Sequence, residues 1–284
     1  MISVVIPAFN EADAVGEAVR QIEEVLVEVE HEIVVVDDGS QDATADEARA
    51  AGARVIHHPH NLGYGAALKT GIKAATYDTI VITDADGTYP NDLIPLLVKE
   101  MAQGFNMVVG ARQGSHFKGS GLKSPMRMML KFLVEFTVGR KVPDVNSGFR
   151  AFSKSEIIPY FDHLCNTFSF TTSLTLAYMM TFKFVTYVQV PYYRRIGRTK
   201  VRLFHDTLRT LQYIVQAILY YNPLKLFLLL SALMLFGAAL SFTLGAVFRL
   251  TSGFYLGIGG ILMAVQVFCY GLLAELLRQI LDKQ

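Results

Sequence analysis

The chain has 284 residues, enough for one α/β domain of ordinary size and an appendage. Its formal net charge is +1, so the charge of the whole chain indicates no particular partner. The two cysteines indicate no disulfide framework and fit a reducing compartment. The hydrophobic fraction of 52% is high because apolar residues concentrate near the C-terminus.

Short apolar runs alternate with helical patterns in the first half of the chain. Strands are predicted at Ile2–Ile6, Ile33–Val36, Arg54–His57, Thr79–Thr83 and Met107–Val109. Helices are predicted at Glu11–Val29, Asp42–Ala51 (with Asp42 as its cap), Gly65–Ala75 and Asp92–Ala102. This alternation predicts a mostly parallel, Rossmann-like α/β sheet with helices on both faces. Ligands on such a sheet bind outside the carboxyl ends of the strands.

Residues 112–150 interrupt the alternation and are strongly basic. Within them Lys123, Arg127, Lys131 and Glu135 are spaced by four, which predicts one polar stripe on a helix. The rest of this helix is rich in Met, Leu and Phe. That composition suits a helix on a membrane surface, and a buried helix with a solvated stripe is an equally good interpretation.

A second amphipathic helix is predicted at Arg202–Tyr221. The segment 194–209 around its start holds six basic residues and one acid, Asp206. A basic segment beside a membrane helix attracts anionic lipid headgroups. It can also hold a specific phosphate, and we expect both.

Two uncharged apolar stretches follow, at about 226–248 and 250–274. Each exceeds the roughly 20 residues that cross a bilayer as a helix, which predicts a transmembrane hairpin with a tight turn at Thr251–Gly253. A buried hairpin in a soluble core is the alternative. The predicted organisation is a catalytic domain at 1–200, a juxtamembrane helix at 201–222 and the hairpin at 223–284.

The charges around the hairpin predict its orientation in a cell membrane. Basic residues precede it, Arg278 and Lys283 follow it, and the turn carries only Arg249. Met1 leads directly into a strand-like run with no basic leader. We therefore expect the catalytic domain and both termini on the cytoplasmic side of a protein with two membrane helices.

Carboxylates at strand ends are the strongest chemical feature. Asp37 and Asp38 follow the second strand, and Asp84 and Asp86 follow the fourth. These strand ends meet at one edge of the sheet, where four carboxylates repel each other unless a cation offsets their charge. Mg²⁺ prefers one or two carboxylates completed by phosphate oxygens, so the pattern predicts a site for a metal and a diphosphate.

Several motifs resemble those of a known family. They are Pro7–Glu11 (PAFNE), Val36–Ser40 (VDDGS), Asn61–Gly63 (NLG) and Asp84–Gly87 (DADG). In this order they resemble the inverting family 2 glycosyltransferases of the GT-A fold. The later runs Asn146–Arg150 (NSGFR) and Arg194–Lys200 (RRIGRTK) resemble those of dolichyl-phosphate mannose synthases and bacterial polyprenyl-phosphate glycosyltransferases. The resemblance covers residues 1 to 205, and the hairpin is similar to that of members with two transmembrane helices.

The resemblance implies transfer of a hexose from a nucleotide sugar, of the UDP-glucose or GDP-mannose type, to polyprenyl or dolichyl phosphate, with Mg²⁺ or Mn²⁺. The nucleoside pocket is then lined by Pro7, Ala8, Asn10 and Glu11. Asp38 lies near the base or ribose in this scheme. The metal set comprises Asp84, which also approaches the nucleotide, Asp86, and Thr88 where members often have Gln.

The same resemblance places other residues around the phosphates and the sugar. Arg112 and Arg127 match basic positions near the acceptor and donor phosphates. Ser147 and Arg150 belong to the loop beside the sugar. Arg194 and Lys200 clamp phosphate. The physical logic agrees, because a lipid phosphomonoester is already anionic near neutral pH and needs no general base.

Three other functions compete with this one. A processive polysaccharide synthase is disfavoured for two reasons. Such enzymes share a Gln-x-x-Arg-Trp motif that stacks the acceptor sugar, and this chain has no tryptophan. Two membrane helices also make a poor channel for moving a polysaccharide across the membrane. A catalytically inactive scaffold is disfavoured by the intact Asp84 and Asp86. A nucleic-acid partner is not expected, because the basic clusters lie beside apolar helices. The histidines at 57, 58 and 60 are interpreted as a loop near the nucleotide pocket rather than a zinc site. Self-association is left open.

Overall fold

The computed structural model describes residues 1–114, 124–196 and 203–281. The chain divides into two compact units, residues 1–214 and 215–284. Lys200, predicted to clamp phosphate, lies outside the described residues. Arg127 lies on a described helix, but its side chain is outside the description.

The first unit contains a seven-stranded sheet. Its strands are β1 (Ile2–Ala8), β2 (His31–Asp37), β3 (Arg54–His57), β4 (Thr79–Ile82), β5 (Met107–Gln113), β6 (Arg150–Ser153) and β7 (Val185–Pro191). Their spatial order is β3-β2-β1-β4-β6-β5-β7. Only β6 runs antiparallel to its neighbours β4 and β5, so the sheet is mostly parallel, as predicted.

Helices alternate with these strands. They are α1 (Val15–Val25), α2 (Thr44–Ala50), α3 (Tyr64–Ala74), α4 (Ile94–Met101), α5 (Ser124–Val138), α6 (Lys154–Ile157), α7 (Phe170–Met180) and α8 (Leu203–Tyr221). All seven residues of β1 are buried, as expected for a strand covered by helices on both faces. The core includes Val4, Ile6, Val19, Val35 and Val81.

Several predicted boundaries were wrong for local reasons. Helix α1 begins at Val15 rather than Glu11, because Asn10 has a φ of 51° and the amide of Glu11 donates to Thr44. Helix α2 begins at Thr44 rather than Asp42, and the Asp42 carboxylate accepts the Thr44 amide at 3.0 Å. Strands β6 and β7 and helix α7 were not predicted.

Helix α5 confirms the predicted helix in the basic region. One face is buried through Val134 and Thr137. Met128 and Phe132 are 67% and 58% exposed. The helix is therefore packed on one side and presents an apolar surface on the other.

The second unit contains two long apolar helices, α9 (Pro223–Val247) and α10 (Thr251–Leu281). Their apolar stretches, Pro223–Val247 and Thr251–Ile280, are long and apolar enough to cross a membrane, with mean hydropathies of 2.2 and 2.0. Most of their large apolar side chains are exposed, which does not fit the alternative of a soluble core hairpin.

Helices α9 and α10 pack against each other at small residues. A Cβ added to Gly253 would lie 2.6 Å from the Cα of Gly245, and Ser231 donates to the carbonyl of Ala264 at 2.9 Å. The predicted turn at Thr251–Gly253 was wrong. These residues begin α10, and the chain reverses just before them at Arg249, which has a φ of 53°.

Candidate active site

The carboxyl ends of β1, β2 and β4 form one edge of the sheet, because β1 pairs in parallel with both of the other strands. The loops that leave this edge carry most of the residues predicted from the sequence. Pro7 and Ala8 end β1 and are buried, and Asn10 is exposed just beyond them. The Asn10 side chain accepts the amide of Gln41, which ties the loop after β1 to the loop after β2.

Asp84 follows β4 and is held from two sides. The hydroxyl of Tyr64 donates to its Oδ1 at 2.9 Å. The backbone of Gly148 lies so close that an added Cβ would be 2.9 Å from the same oxygen. Burial, and then the charge of Asp86, raise the pKa of Asp84 to about 7, against the opposing effects of Tyr64, Arg112 and Arg195. A cation at this carboxylate would relieve the unfavourable charge.

Asp86 is buried, and its carboxylate receives two hydrogen bonds and one ion pair. The Thr88 hydroxyl donates to its Oδ1 at 2.6 Å, and the Thr88 amide donates to the same oxygen at 3.1 Å. Nη1 of Arg195 lies 3.3 Å from the other oxygen, Oδ2. Thr88, predicted as a third metal contact, therefore directs its hydroxyl proton to Asp86 and orients that carboxylate.

Arg195 joins this carboxylate to the loop after β1. Its Nη2 lies 2.5 Å from Oε1 of Glu11. The backbone holds it there, because the amides of Tyr193 and Ile196 donate to the carbonyls of Thr88 and Asp86 at 2.9 and 3.1 Å. Sequence reasoning assigned the phosphate contact to its neighbour Arg194, which is exposed. Arg195 was missed as a site residue, and the only sequence signal for it was the basic run itself.

The donor set fits a hard divalent cation. Within residues 1–114, 124–196 and 203–281 no group of three or more His, Cys, Asp or Glu side chains is arranged to hold a metal. Asp84 and Asp86 supply carboxylate oxygens only. Mg²⁺ usually takes one or two carboxylates, several waters and the phosphates of a substrate, so two carboxylates suffice for a metal that arrives with a diphosphate.

Asp38 shapes a loop. Its Oδ1 accepts the amide of Leu62 at 2.9 Å and its Oδ2 accepts the amide of Gly63 at 2.8 Å. The Nδ1 of His58 lies 2.7 Å from Oδ1, and His57 pairs with Asp37 in the same way. These contacts fix the loop after β3, and the Asp38 carboxylate predicted near the base or ribose is directed to backbone amides.

Arg112 is held at the end of β5 by Asp144. Its Nε and Nη2 donate to the two carboxylate oxygens at 2.7 and 2.9 Å, and its guanidinium lies over the ring of Tyr192. Burial alone would raise the pKa of Asp144, but the hydrogen bonds and charge of Arg112 lower it. The pair is ionised near neutral pH, and its guanidinium is close enough to act on Asp84.

Ser147 and Arg150 build the loop that ends at Gly148. The Ser147 hydroxyl donates to the carbonyl of Gly110 at 2.6 Å. Arg150 is fully buried and donates to the carbonyls of Val145 and Ser147 and to Thr175. Both side chains hold the loop that places Gly148 against Asp84, and their predicted position beside the sugar stays a prediction.

Residues 3–160 match glycosyl transferase family 2. A dolichyl-phosphate hexose transferase of Haloferax volcanii is 30% identical over 205 residues, which is 72% of this chain and 87% of that one. A dolichol-phosphate mannosyltransferase of Pyrococcus furiosus is 32% identical over 168 residues, 55% of this chain.

The chain spans only part of some relatives. It covers 47% of the Pyrococcus protein and 64% of a Methanocaldococcus jannaschii protein that is 38% identical over 159 residues. The crystal structure of glucosyl-3-phosphoglycerate synthase from Mycobacterium tuberculosis superimposes with a TM-score of 0.64 at 23% identity, over 76% of this chain and 79% of that one.

The sheet and the strand-end carboxylates define a GT-A fold, as predicted. The chain belongs to glycosyl transferase family 2.

Proposed function

We propose that the protein transfers a hexose, with inversion, from a nucleotide sugar of the UDP-glucose or GDP-mannose type to a polyprenyl phosphate at the cytoplasmic face of a membrane. The observation that carries this proposal is the Asp84 and Asp86 pair at the end of β4 in a family 2 chain. Relatives named for transfer to dolichyl and undecaprenyl phosphates support the acceptor class.

The donor half of the site requires a fixed place for a diphosphate. A bound Mg²⁺ or Mn²⁺ supplies the charge that stabilises a leaving nucleoside diphosphate. The chain prepares for it by fixing both carboxylates, Asp84 through Tyr64 and Asp86 through Thr88. Structures of the same fold contain Mn²⁺ or Mg²⁺ with UDP, which supports this use of the strand end.

The acceptor half requires cations rather than a base. A phosphomonoester has a second pKa of about 6 and is already anionic near neutral pH. One of its oxygens can attack the anomeric carbon while the bond from that carbon to the diphosphate breaks. The task of the protein is to hold two anionic groups together. Arg112 supports this role because its guanidinium, held by Asp144 at the end of β5, acts on Asp84 as a fixed positive charge.

The lipid part of the acceptor agrees with the exposed apolar surfaces. Helix α5 exposes Met128 and Phe132, and α9 and α10 are long enough to span a bilayer. The basic residues on both sides of the hairpin favour the cytoplasmic side for both termini.

The test uses the full chain in detergent with Mg²⁺, undecaprenyl phosphate and labelled UDP-glucose or GDP-mannose. We expect a lipid-linked labelled sugar from one donor and release of its nucleoside diphosphate. Asp86→Asn should abolish formation of the lipid-linked sugar. Asp92→Asn is the control, because it changes an exposed acid six residues further along the chain and should leave product formation unchanged. Phosphoglyceric acid serves as a soluble phosphate acceptor. Transfer to phosphoglyceric acid alone would refute the proposal that the acceptor is a lipid phosphate. No transfer from either donor would refute the proposed glycosyltransferase activity.

A further inference from the structure

Arg195 occupies an unusual position for a cation in a metal site. Its Nη1 contacts Asp86 at 3.3 Å and its Nη2 contacts Glu11 at 2.5 Å. Both acids belong to loops at the carboxyl edge of the sheet, and the guanidinium closes the gap between them. Among the described residues, no group accepts a hydrogen bond from its buried Nε.

Carboxylates are concentrated at this edge of the sheet. Glu11 and Asp86 both contact the Arg195 guanidinium, and Asp84 stands two residues before Asp86. Without a metal, Arg195 is the side chain that contacts Asp86 with a positive charge. A divalent ion at Asp86 would repel that guanidinium strongly at such short range.

The anchoring of Arg195 limits how far it can move. The amides of Tyr193 and Ile196 remain bonded to the carbonyls on either side of Gly87. The side chain can therefore leave Asp86 while its backbone stays in place. A guanidinium so held, whose Nε has no partner among the described residues, has the geometry to take a diphosphate oxygen beside the metal.

We propose that Arg195 is a positioning residue that neutralises Asp86 in the metal-free protein and transfers to the donor diphosphate when the divalent cation binds. This inference rests on the proposed metal-dependent use of a nucleotide sugar. It assigns to Arg195 two opposite effects. Arg195 competes with the free metal, and it assists the metal-bound nucleotide.

Substitution separates these effects from a structural role. Arg195→Gln removes the competing charge, so Mn²⁺ alone should bind more tightly, by about threefold to tenfold. The same change removes a charge-assisted hydrogen bond to the diphosphate, so UDP or GDP should bind about tenfold more weakly at saturating Mn²⁺. A residue that merely holds the loop would weaken both ligands when removed.

The experiment uses the full chain in detergent. Mn²⁺ binding is measured by electron paramagnetic resonance without nucleotide, and UDP and GDP binding by calorimetry at saturating Mn²⁺. Arg195→Lys keeps the charge and should bind Mn²⁺ as the wild type does. Arg49→Gln is the matched control, because it removes an arginine from an exposed Arg49–Asp46 pair on α2 and should change neither affinity.

The outcomes are distinct. Tighter Mn²⁺ with weaker nucleotide in Arg195→Gln supports the transfer of Arg195 between partners. Equal or weaker Mn²⁺ binding in that variant, with normal binding in the wild type, overturns it and leaves the proposed function intact. Wild-type protein that binds no Mn²⁺, even with UDP or GDP, overturns the metal-dependent function and the inference with it.

Discussion

Asp84 gives the most direct physical test of the site, because its charge is unfavourable in the folded protein without a metal. Burial and the neighbouring Asp86 raise its pKa from 3.8 to about 7. Asp84→Asn removes the charge, keeps the size and keeps an oxygen that can accept the Tyr64 hydroxyl. We expect this variant to be more stable than the wild type and unable to use the donor.

The magnitude follows from the shift in pKa. The folded protein binds the Asp84 proton more tightly than the unfolded chain, so stability falls as the pH rises between the two pKa values. Above pH 7 the full shift corresponds to about 4 kcal/mol, and screening by water at the partly exposed carboxylate reduces it to about 2 kcal/mol. For a chain of this size the melting temperature rises by about 4 to 8 °C.

The assay is thermal unfolding of the full chain in detergent, without metal, at about pH 4 to pH 8. The advantage of Asp84→Asn should grow up to about pH 7 and then remain constant. Asp78→Asn is the control of opposite sign. Burial opposes ionisation of Asp78, but hydrogen bonds from Ser153 and Ser155 lower its pKa, so its removal should destabilise the protein above the unfolded pKa. An Asp84→Asn advantage that is absent, or equal at all pH values, would refute the reasoning.

Three further substitutions test the supports of the site. Asp144→Asn removes the charged partner of Arg112, and we expect kcat/KM for the lipid phosphate to fall about tenfold; an unchanged value would mean that Arg112 is placed by other contacts. Gly148→Ala puts a Cβ 2.9 Å from Asp84 and should weaken UDP or GDP binding at least about tenfold by calorimetry, whereas equal binding would show that the loop adapts. Arg150→Met leaves buried acceptors without a donor, and chemical denaturation should show a loss of about 3 kcal/mol; a loss below about 1 kcal/mol would contradict its structural role.

The fold was predictable where hydrophobic patterns repeat. The buried runs of β-branched residues in β1, β2 and β4 identified the parallel half of the sheet and the edge that carries Asp84 and Asp86. Helix α7 was not predicted because ten of its eleven residues are buried. It therefore has no polar face that would reveal a helical period in the sequence. Strand β6 was not predicted because it is four residues long and begins with a charged residue, Arg150, whose burial depends on nearby carbonyls and on the distant Thr175.

The site was predictable in its carboxylates but not in its cations. Asp84 and Asp86 stand directly after a strand, so topology alone places them at the ligand edge. Arg194 and Arg195 are adjacent and chemically identical. Only the contacts with Glu11 and Asp86 identify Arg195 as the arginine that faces the candidate site. The hydrogen bond from the Thr88 hydroxyl to Asp86 was not predicted either, and the metal contact of Thr88 stays a prediction.

The antiparallel strand β6 has a consequence for biosynthesis. It separates β4 from β5, although both are made before it. Until residues 150–153 leave the ribosome, one edge of β4 lacks its final partner. The Gly148 loop that seats Asp84 comes just before the same strand. The end of β4 that carries Asp84 and Asp86 is therefore completed only after residues 148–153 have been made, which is before the apolar helices that begin at Pro223.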